Sequence, residues 1–191
     1  MTGPSTISTP SPGTSPGTPP GTPRRLLERT IRVDHAGEYG AQRIYQGQLA
    51  VLRGTRFEPL LRHMQAQEQV HLDRFAQLIA ERRVRPTALL PVWHVAGFAL
   101  GAATALLGHR AAMACTVAVE EAIDEHYQAQ EAALGDDEAA LRGKVEQFRA
   151  EELEHRDTGL EHEAELTPGY RVLSAAIKAG CKLAIKVSER V

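Results

Sequence analysis

Apolar side chains recur at intervals of three and four residues from residue 24 onward, and no alternating run of strand length interrupts them. This period predicts an all-α protein. Proline and glycine positions divide the chain into helices at about 24–52, 58–82, 88–107, 110–134 and 138–166, and a last helix with Pro168 in its first turn. The second helix shows the amphipathic pattern clearly, with one apolar face formed by Leu60, Leu61, Met64, Leu72, Phe75 and Leu78.

Segment 88–107 is the most apolar part of the chain, and its length approaches the roughly 20 residues that a membrane-spanning helix requires. Pro91 interrupts it early and His94 lies inside it. We therefore predict a shorter helix that enters one leaflet of a membrane or covers a buried pocket. Hydropathy alone leaves a buried core helix open as the alternative.

The last helix carries basic side chains at a strict spacing of four residues: Lys178, Lys182, Lys186 and Arg190. A basic stripe beside apolar residues suits an anionic membrane surface. The solvated face of a packed helix would show the same pattern. The sequence leaves both interpretations open.

Composition separates the first residues from the rest of the chain. Residues 1–23 are almost entirely Ser, Thr, Pro and Gly, so they carry too little apolar surface to offset their ordering entropy. We expect this leader to be disordered, and it lacks the apolar run of a secretory signal. Residues 24–191 are long enough to form one domain with a substantial core.

Charge and cysteine content narrow the function classes. The net charge is −2 and no nucleic-acid-reading motif is present, so no nucleic-acid partner is expected. The two cysteines, Cys115 and Cys181, lie far apart in apolar helical segments and have no metal-ligand spacing. We interpret them as buried thiols and not as a disulfide.

The chain contains an internal repeat of a helical hairpin. Glu38 aligns with Glu120, and the same register pairs Tyr45 with Tyr127 and Gln48 with Gln130. Further along, the Glu-x-x-His pair at 68 and 71 aligns with the pair at 152 and 155. On a helix, residues three apart lie on one face, so each pair directs a carboxylate and an imidazole to the same place.

This doubled set matches the ligands of a dimetal site in a helical bundle, which uses one Glu from each of two helices and a Glu-x-x-His from each of the other two. Oxygen and imidazole ligands suit iron or manganese. A single Glu-x-x-His is common on solvated helix faces, but the ordered pair of sets is harder to obtain by chance. The candidate metal ligands are Glu38, Glu68, His71, Glu120, Glu152 and His155.

Further residues are candidates to support the ligands. Ligating imidazoles usually donate their outer N–H to an acceptor, and Glu151, Asp73 and Asp157 are placed to accept it. His126 and Tyr127, which follow Glu120 on the same predicted helix, are candidates to face the metals. Surface or packing roles remain open for these five residues. We interpret four of the remaining histidines as structural or exposed: His35, His63, His94 and His162.

The chain also resembles a known family, the demethoxyubiquinone hydroxylases of ubiquinone biosynthesis, over residues 24–191. The resemblance rests on long motifs: RVDHAGEYGA at 32–41, RVRPT at 83–87, GFALG at 97–101, TVAVEE at 116–121, EELEH at 151–155 and SER at 188–190. It implies a ferritin-like four-helix bundle with two additional membrane-contacting helices. It also implies a di-iron monooxygenase that hydroxylates the ring of a polyprenylated demethoxyubiquinol with O2 as co-substrate.

The resemblance assigns the metal ligands to two iron ions. Glu38 and His71 would bind one iron, Glu120 and His155 the other, and Glu68 and Glu152 would bridge them. Electrons are expected from an external donor, because the chain has no Gly-x-Gly-x-x-Gly fingerprint. NADH, a reductase or the quinol itself are the candidates.

The same resemblance implies a peripheral protein on the cytoplasmic face of the bacterial inner membrane, contacting lipid and a lipid-binding accessory protein. Two alternatives use the same bundle. One is a soluble iron-storage or peroxide-detoxifying protein, which would require a cage of subunits. The other is a non-catalytic lipid-binding protein with a vestigial site.

Overall fold

The structure, a computed structural model, describes residues 21–191, so most of the predicted leader (residues 1–20) lies outside the described residues. The described part contains helices and no strand, which confirms the all-α prediction. The helices are α1 (Arg24–Leu52), α2 (Glu58–Glu81), α3 (Leu90–Leu106), α4 (His109–Ala133), α5 (Ala139–Glu161) and α6 (Tyr170–Ser188). Short 3₁₀ helices lie at Asp136–Glu138 and Ala164–Leu166. At the described end of the leader, the Thr22 backbone N–H donates to Asp137 Oδ2 over 2.8 Å.

The bundle consists of the two repeated hairpins, α1–α2 and α4–α5, and its apolar core is divided into two main clusters. One cluster includes Tyr45, Leu49, Leu61, Met64, Met113 and Val117. The other includes Ile31, Phe75, Leu78, Tyr127, Val145 and Phe148. Along α1, α2 and α4, the buried Glu and His positions lie between residues of the two clusters, and on α5 Glu152 and His155 follow Val145 and Phe148 of the second cluster. The fold therefore places a polar layer between two apolar clusters.

Helix α3 lies against α1 at very short range. A Cβ added at Gly47 would overlap the carbonyl oxygen of Phe98, and one added at Gly101 would overlap that of Ile44. Because only glycine fits at these two positions, the backbones of the two helices can approach closely. Only four residues of α3 are buried, so the structure does not support the buried core helix that hydropathy left open.

Helix α6 packs against α4. Lys178 pairs with Glu121, and the Nζ atom of Lys182 lies 2.7 Å from Glu125 Oε2. Two of the four residues in the basic stripe thus contact the bundle itself. In the part of the chain that the structure describes, no helix combines the length and apolarity needed to cross a membrane.

Two predicted helix ends were wrong. Helix α5 ends at Glu161 and not at residue 166, because Glu163 adopts a left-handed conformation (φ 64°) that a right-handed helix does not accept. Pro168 precedes α6 instead of lying in its first turn, since Gly169 is also left-handed (φ 73°) and the helix begins at Tyr170.

Candidate metal centre

The six candidate ligands meet at the middle of the bundle, and each is at most 2 % exposed. Glu38 comes from α1 and Glu120 from α4, while α2 and α5 each provide a Glu-x-x-His pair. The side chains form two groups, each with ligand atoms within 4.8 Å of one another. One group is Glu38, Glu68, His71 and Glu152; the other is Glu68, Glu120, Glu152 and His155. Glu68 and Glu152 belong to both groups, as residues that bridge two ions would.

Glu152 lies between the two imidazoles. Its Oε1 atom is 2.9 Å from Nδ1 of His71, and its Oε2 atom is 3.1 Å from Nδ1 of His155. The same Nδ1 atom of His155 lies 3.1 Å from Oε1 of Glu68, and Nδ1 of His71 lies 3.6 Å from Oε2 of Glu38. Both imidazoles therefore direct Nδ1 toward the shared carboxylates.

Several carboxylate oxygens in this layer have no hydrogen-bond partner: Glu38 Oε2, Glu68 Oε2 and Glu120 Oε2. A buried, unpaired carboxylate oxygen costs free energy, so native proteins rarely retain one without a role. Divalent cations would occupy the free lone pairs and offset the burial of the negative charge. The donor set, four carboxylates and two imidazoles, is the set that iron and manganese accept. The residues present therefore fit a pair of such ions.

The ionisation of these groups is shifted strongly in the protein without metal. Burial, reinforced by the nearby Glu152 charge, raises the pKa values of Glu68 and Glu120 well above the ordinary range. Burial also disfavours the charged forms of Glu152 and His71, but hydrogen bonds outweigh it. Bonds to His155 and His71 lower the pKa of Glu152, and bonds to Glu152 and Glu38 raise that of His71. Protons retained by these groups thus stabilise the cluster in the metal-free protein, and a cation would have to displace them in order to bind.

The outer nitrogens of both imidazoles also have acceptors. Nε2 of His71 lies 2.6 Å from Oε2 of Glu151, as the sequence led us to expect of Glu151. Nε2 of His155 lies 3.0 Å from Oε1 of Gln67, a residue that sequence reasoning missed. The repeat contained the signal, because Gln67 precedes Glu68 as Glu151 precedes Glu152.

The structure corrects two of the proposed supporting residues. Asp73 and Asp157 are exposed and accept hydrogen bonds from Gln69 and Arg156, respectively, not from an imidazole. Each lies two residues beyond its histidine, which is about 200° around a helix and therefore on the far side.

Tyr127 and His126 point in different directions. The Tyr127 hydroxyl donates a hydrogen bond to Oε1 of Glu38, so it contacts a candidate ligand. His126 does not face the ligand cluster; its Nε2 atom lies 3.3 Å from the buried carboxylate of Asp34. Gln130 also donates to Asp34, over 2.6 Å. Asp34 is buried, and sequence reasoning did not single it out.

This bundle and its paired Glu and Glu-x-x-His residues define a class, the ferritin-like helical proteins that hold two metal ions between their helices. Comparison with known proteins gives the family within that class. The family model described as ubiquinone biosynthesis protein COQ7 matches residues 25–188, and the chain belongs to this family.

Individual relatives agree with the family assignment. A protein from Rhodospirillum rubrum named 3-demethoxyubiquinol 3-hydroxylase is 64 % identical over 167 residues, which cover 87 % of this chain and 79 % of the relative. A mitochondrial NADPH-dependent 3-demethoxyubiquinone 3-hydroxylase from Rattus norvegicus is 56 % identical over 87 % of this chain and 79 % of its own length. The 5-demethoxyubiquinone hydroxylase of Saccharomyces cerevisiae is 42 % identical over 86 % of this chain and 78 % of its own length.

Proposed function

We propose that this chain is a monooxygenase of ubiquinone biosynthesis that hydroxylates the ring of a polyprenylated demethoxyubiquinol. The observation that carries the proposal is the pair of buried Glu and His groups that share Glu68 and Glu152. The names of the matched relatives supply the substrate class. Because these relatives are named hydroxylases, an iron-storage role has no comparable support.

The ligand set would hold two iron ions, one by Glu38 and His71 and the other by Glu120 and His155, with Glu68 and Glu152 shared. Iron, when bound, supplies the one-electron chemistry that dioxygen needs to react with a ring carbon. One oxygen atom enters the C–H bond of the ring, and the other leaves as water after two electrons and two protons are added. The relative from Rattus norvegicus is named NADPH-dependent, which favours a reduced nicotinamide nucleotide as the source of those electrons.

The chain's own residues orient the ligands and keep the site dry. Glu151 and Gln67 accept the outer N–H groups of the imidazoles, which fixes both rings with Nδ1 toward the site. Tyr127 holds one oxygen of Glu38 by its hydroxyl. The ring of Phe148 lies 4.0 Å from that of His71, centroid to centroid, and covers the site on one side. The two apolar clusters exclude bulk water above and below.

A quinol with a long isoprenoid tail resides in a bilayer, so the enzyme must reach it there. Helix α3 carries no Asp, Glu, Lys or Arg, and it exposes Val92, Val95 (67 %) and Leu106 (74 %), while exposed Leu107 directly follows its last residue. A contiguous apolar face of this kind is typical of a surface that contacts a membrane or a partner. Because Lys178 and Lys182 pair with α4, the α3 face supports membrane contact better than the basic stripe does.

We infer peripheral attachment to the cytoplasmic face of the inner membrane, with α3 entering the lipid surface. The lipid-binding accessory protein stays a prediction without an assigned face.

A turnover assay tests the proposed function. Protein loaded anaerobically with Fe(II) is mixed with a short-tailed demethoxyubiquinol, a reduced nicotinamide nucleotide and ¹⁸O2, and the quinones are analysed by mass spectrometry. One ¹⁸O atom is expected in the ring of the product. No product, or oxygen derived from water, would contradict the proposal.

A further inference from the structure

The two hairpins are related by their repeat, and Gln67 and Glu151 occupy equivalent positions in it. Each lies one residue before a shared carboxylate, and each side chain crosses to the histidine of the opposite hairpin. Glu151 of α5 reaches His71 of α2, and Gln67 of α2 reaches His155 of α5. The arrangement is symmetric in geometry, but the two acceptors differ in charge.

That difference changes the two imidazoles unequally. A carboxylate accepts an N–H hydrogen bond more strongly than an amide oxygen does, and the observed distances follow this order, 2.6 Å to Glu151 and 3.0 Å to Gln67. A stronger outer hydrogen bond increases the basicity of a ligating imidazole toward its metal. Glu151 is itself held in place, because Gln147 donates to its other oxygen over 2.8 Å.

Resting on the proposed dimetal site, we propose that Glu151 and Gln67 make the two metal positions inequivalent. The carboxylate of Glu151 strengthens His71 as a ligand, while the amide of Gln67 leaves His155 the weaker ligand. A divalent ion therefore binds the two positions with different affinities. Glu151 and Gln67 act as positioning residues with a defined electronic effect, since neither is expected to touch a metal.

Exchange of the two acceptors by isosteric substitution tests the proposal. Calorimetric titration of the metal-free full chain with Co(II) is expected to show two ions bound in two unequal steps. Loss of an outer partner typically weakens metal binding about 10- to 100-fold. Glu151→Gln should therefore weaken the tighter step about tenfold or more. Gln67→Glu should strengthen the weaker step by a similar factor.

Both variants should reduce the difference in metal affinity between the two binding steps. Glu151→Gln does so by weakening the tighter step, and Gln67→Glu by strengthening the weaker one. A residue that only supported the fold would lower both affinities in both variants. Glu154→Gln and Gln77→Glu are the control variants, because they make the same charge changes at exposed positions of α5 and α2. Neither should change the affinity of either metal-binding step. Thermal melting of each metal-free variant verifies that it is folded.

The outcomes separate this inference from the proposed function. A wild-type chain that binds fewer than two ions contradicts the proposed dimetal site itself. Two ions bound with equal affinity, or two unequal steps that do not respond in opposite directions to Glu151→Gln and Gln67→Glu, overturn only the inequivalence.

Discussion

Nδ1 of His71 lies 2.9 Å from Oε1 of Glu152, although 81 residues separate the two along the chain. The other oxygen of Glu152 contacts His155 at 3.1 Å, so one carboxylate joins the histidines of both hairpins. Among the residues that the structure describes, no other side chain accepts a hydrogen bond from both imidazoles. Loss of Glu152 is therefore expected to affect both metal positions at once.

Substitution Glu152→Ala should reduce Mn(II) affinity by more than about 100-fold, because removal of even an outer partner costs about 10- to 100-fold. Equilibrium dialysis of the metal-free protein measures the change. Glu154→Ala, an exposed position on the same helix, is the control and should bind like wild type. Retention of two tightly bound ions by Glu152→Ala would show that Glu152 is not a shared ligand.

The stabilisation that a metal confers should increase with pH. Burial raises the pKa values of Glu68 and Glu120, and hydrogen bonds to Glu152 and Glu38 raise that of His71 despite burial. A group with a raised pKa in the folded state stabilises the metal-free fold at low pH, and this contribution is lost as pH rises through the raised value. The pKa of Glu152 is lowered in the folded protein, so this residue stabilises the fold at pH values above the pKa that it has in the unfolded chain. This contribution is already complete near neutral pH.

Cations require the deprotonated ligands, so they replace protons more easily at higher pH. The melting temperature of Mn(II)-loaded protein should therefore exceed that of metal-free protein by more at about pH 8 than at about pH 6. Calorimetric scans of both forms measure the difference. If the difference in melting temperature between the two forms stays constant or decreases as the pH rises, bound protons do not stabilise the metal-free cluster.

The close contact between α1 and α3 makes Gly47 intolerant of a side chain. Gly47→Ala places a Cβ against the carbonyl oxygen of Phe98 and should lower the free energy of unfolding by about 1–3 kcal/mol. Gly40→Ala, on the same helix with open space around the new Cβ, should be neutral or stabilising by up to about 1 kcal/mol. Urea denaturation compares the two variants. Equal effects would mean that α3 does not pack on α1 as observed.

The exposed face of α3 should carry membrane binding. Replacing Val95 and Leu106 by Gln removes apolar groups worth roughly 1.5–3 kcal/mol each when buried, so binding to lipid vesicles should fall at least about tenfold. Val70→Gln on α2 is the matched control, since Val70 is also 61 % exposed but lies on another helix. Vesicle flotation measures the bound fraction. If the α3 variant floats with vesicles as the wild type does, α3 is not the surface that binds the membrane.

The sequence predicted the helices well where Gly or Pro residues mark their ends. Its 3.6-residue period and the Gly and Pro positions placed α1 and α4 within a residue of their observed bounds. It misplaced the end of α5 because Glu163, a residue that rarely adopts a left-handed conformation, ends the helical path there without a Gly or Pro to mark it.

The repeat also predicted which six side chains would meet, because helical periodicity fixes which residues share a face. Of the outer acceptors, the sequence singled out Glu151 but not Gln67, and each contacts a histidine on a different helix. Such contacts depend on how the hairpins are oriented against each other, which local period does not determine. Whether the six side chains bind iron stays a prediction.

Iron content and turnover, measured on one sample, test that prediction most directly. The wild-type chain, reconstituted anaerobically with Fe(II) and freed of unbound metal, should contain two irons per chain and hydroxylate a demethoxyubiquinol. Chelation of the iron should abolish the activity, and readdition should restore it. A chain that turns over the quinol fully without iron, or that binds no iron under these conditions, would contradict the account.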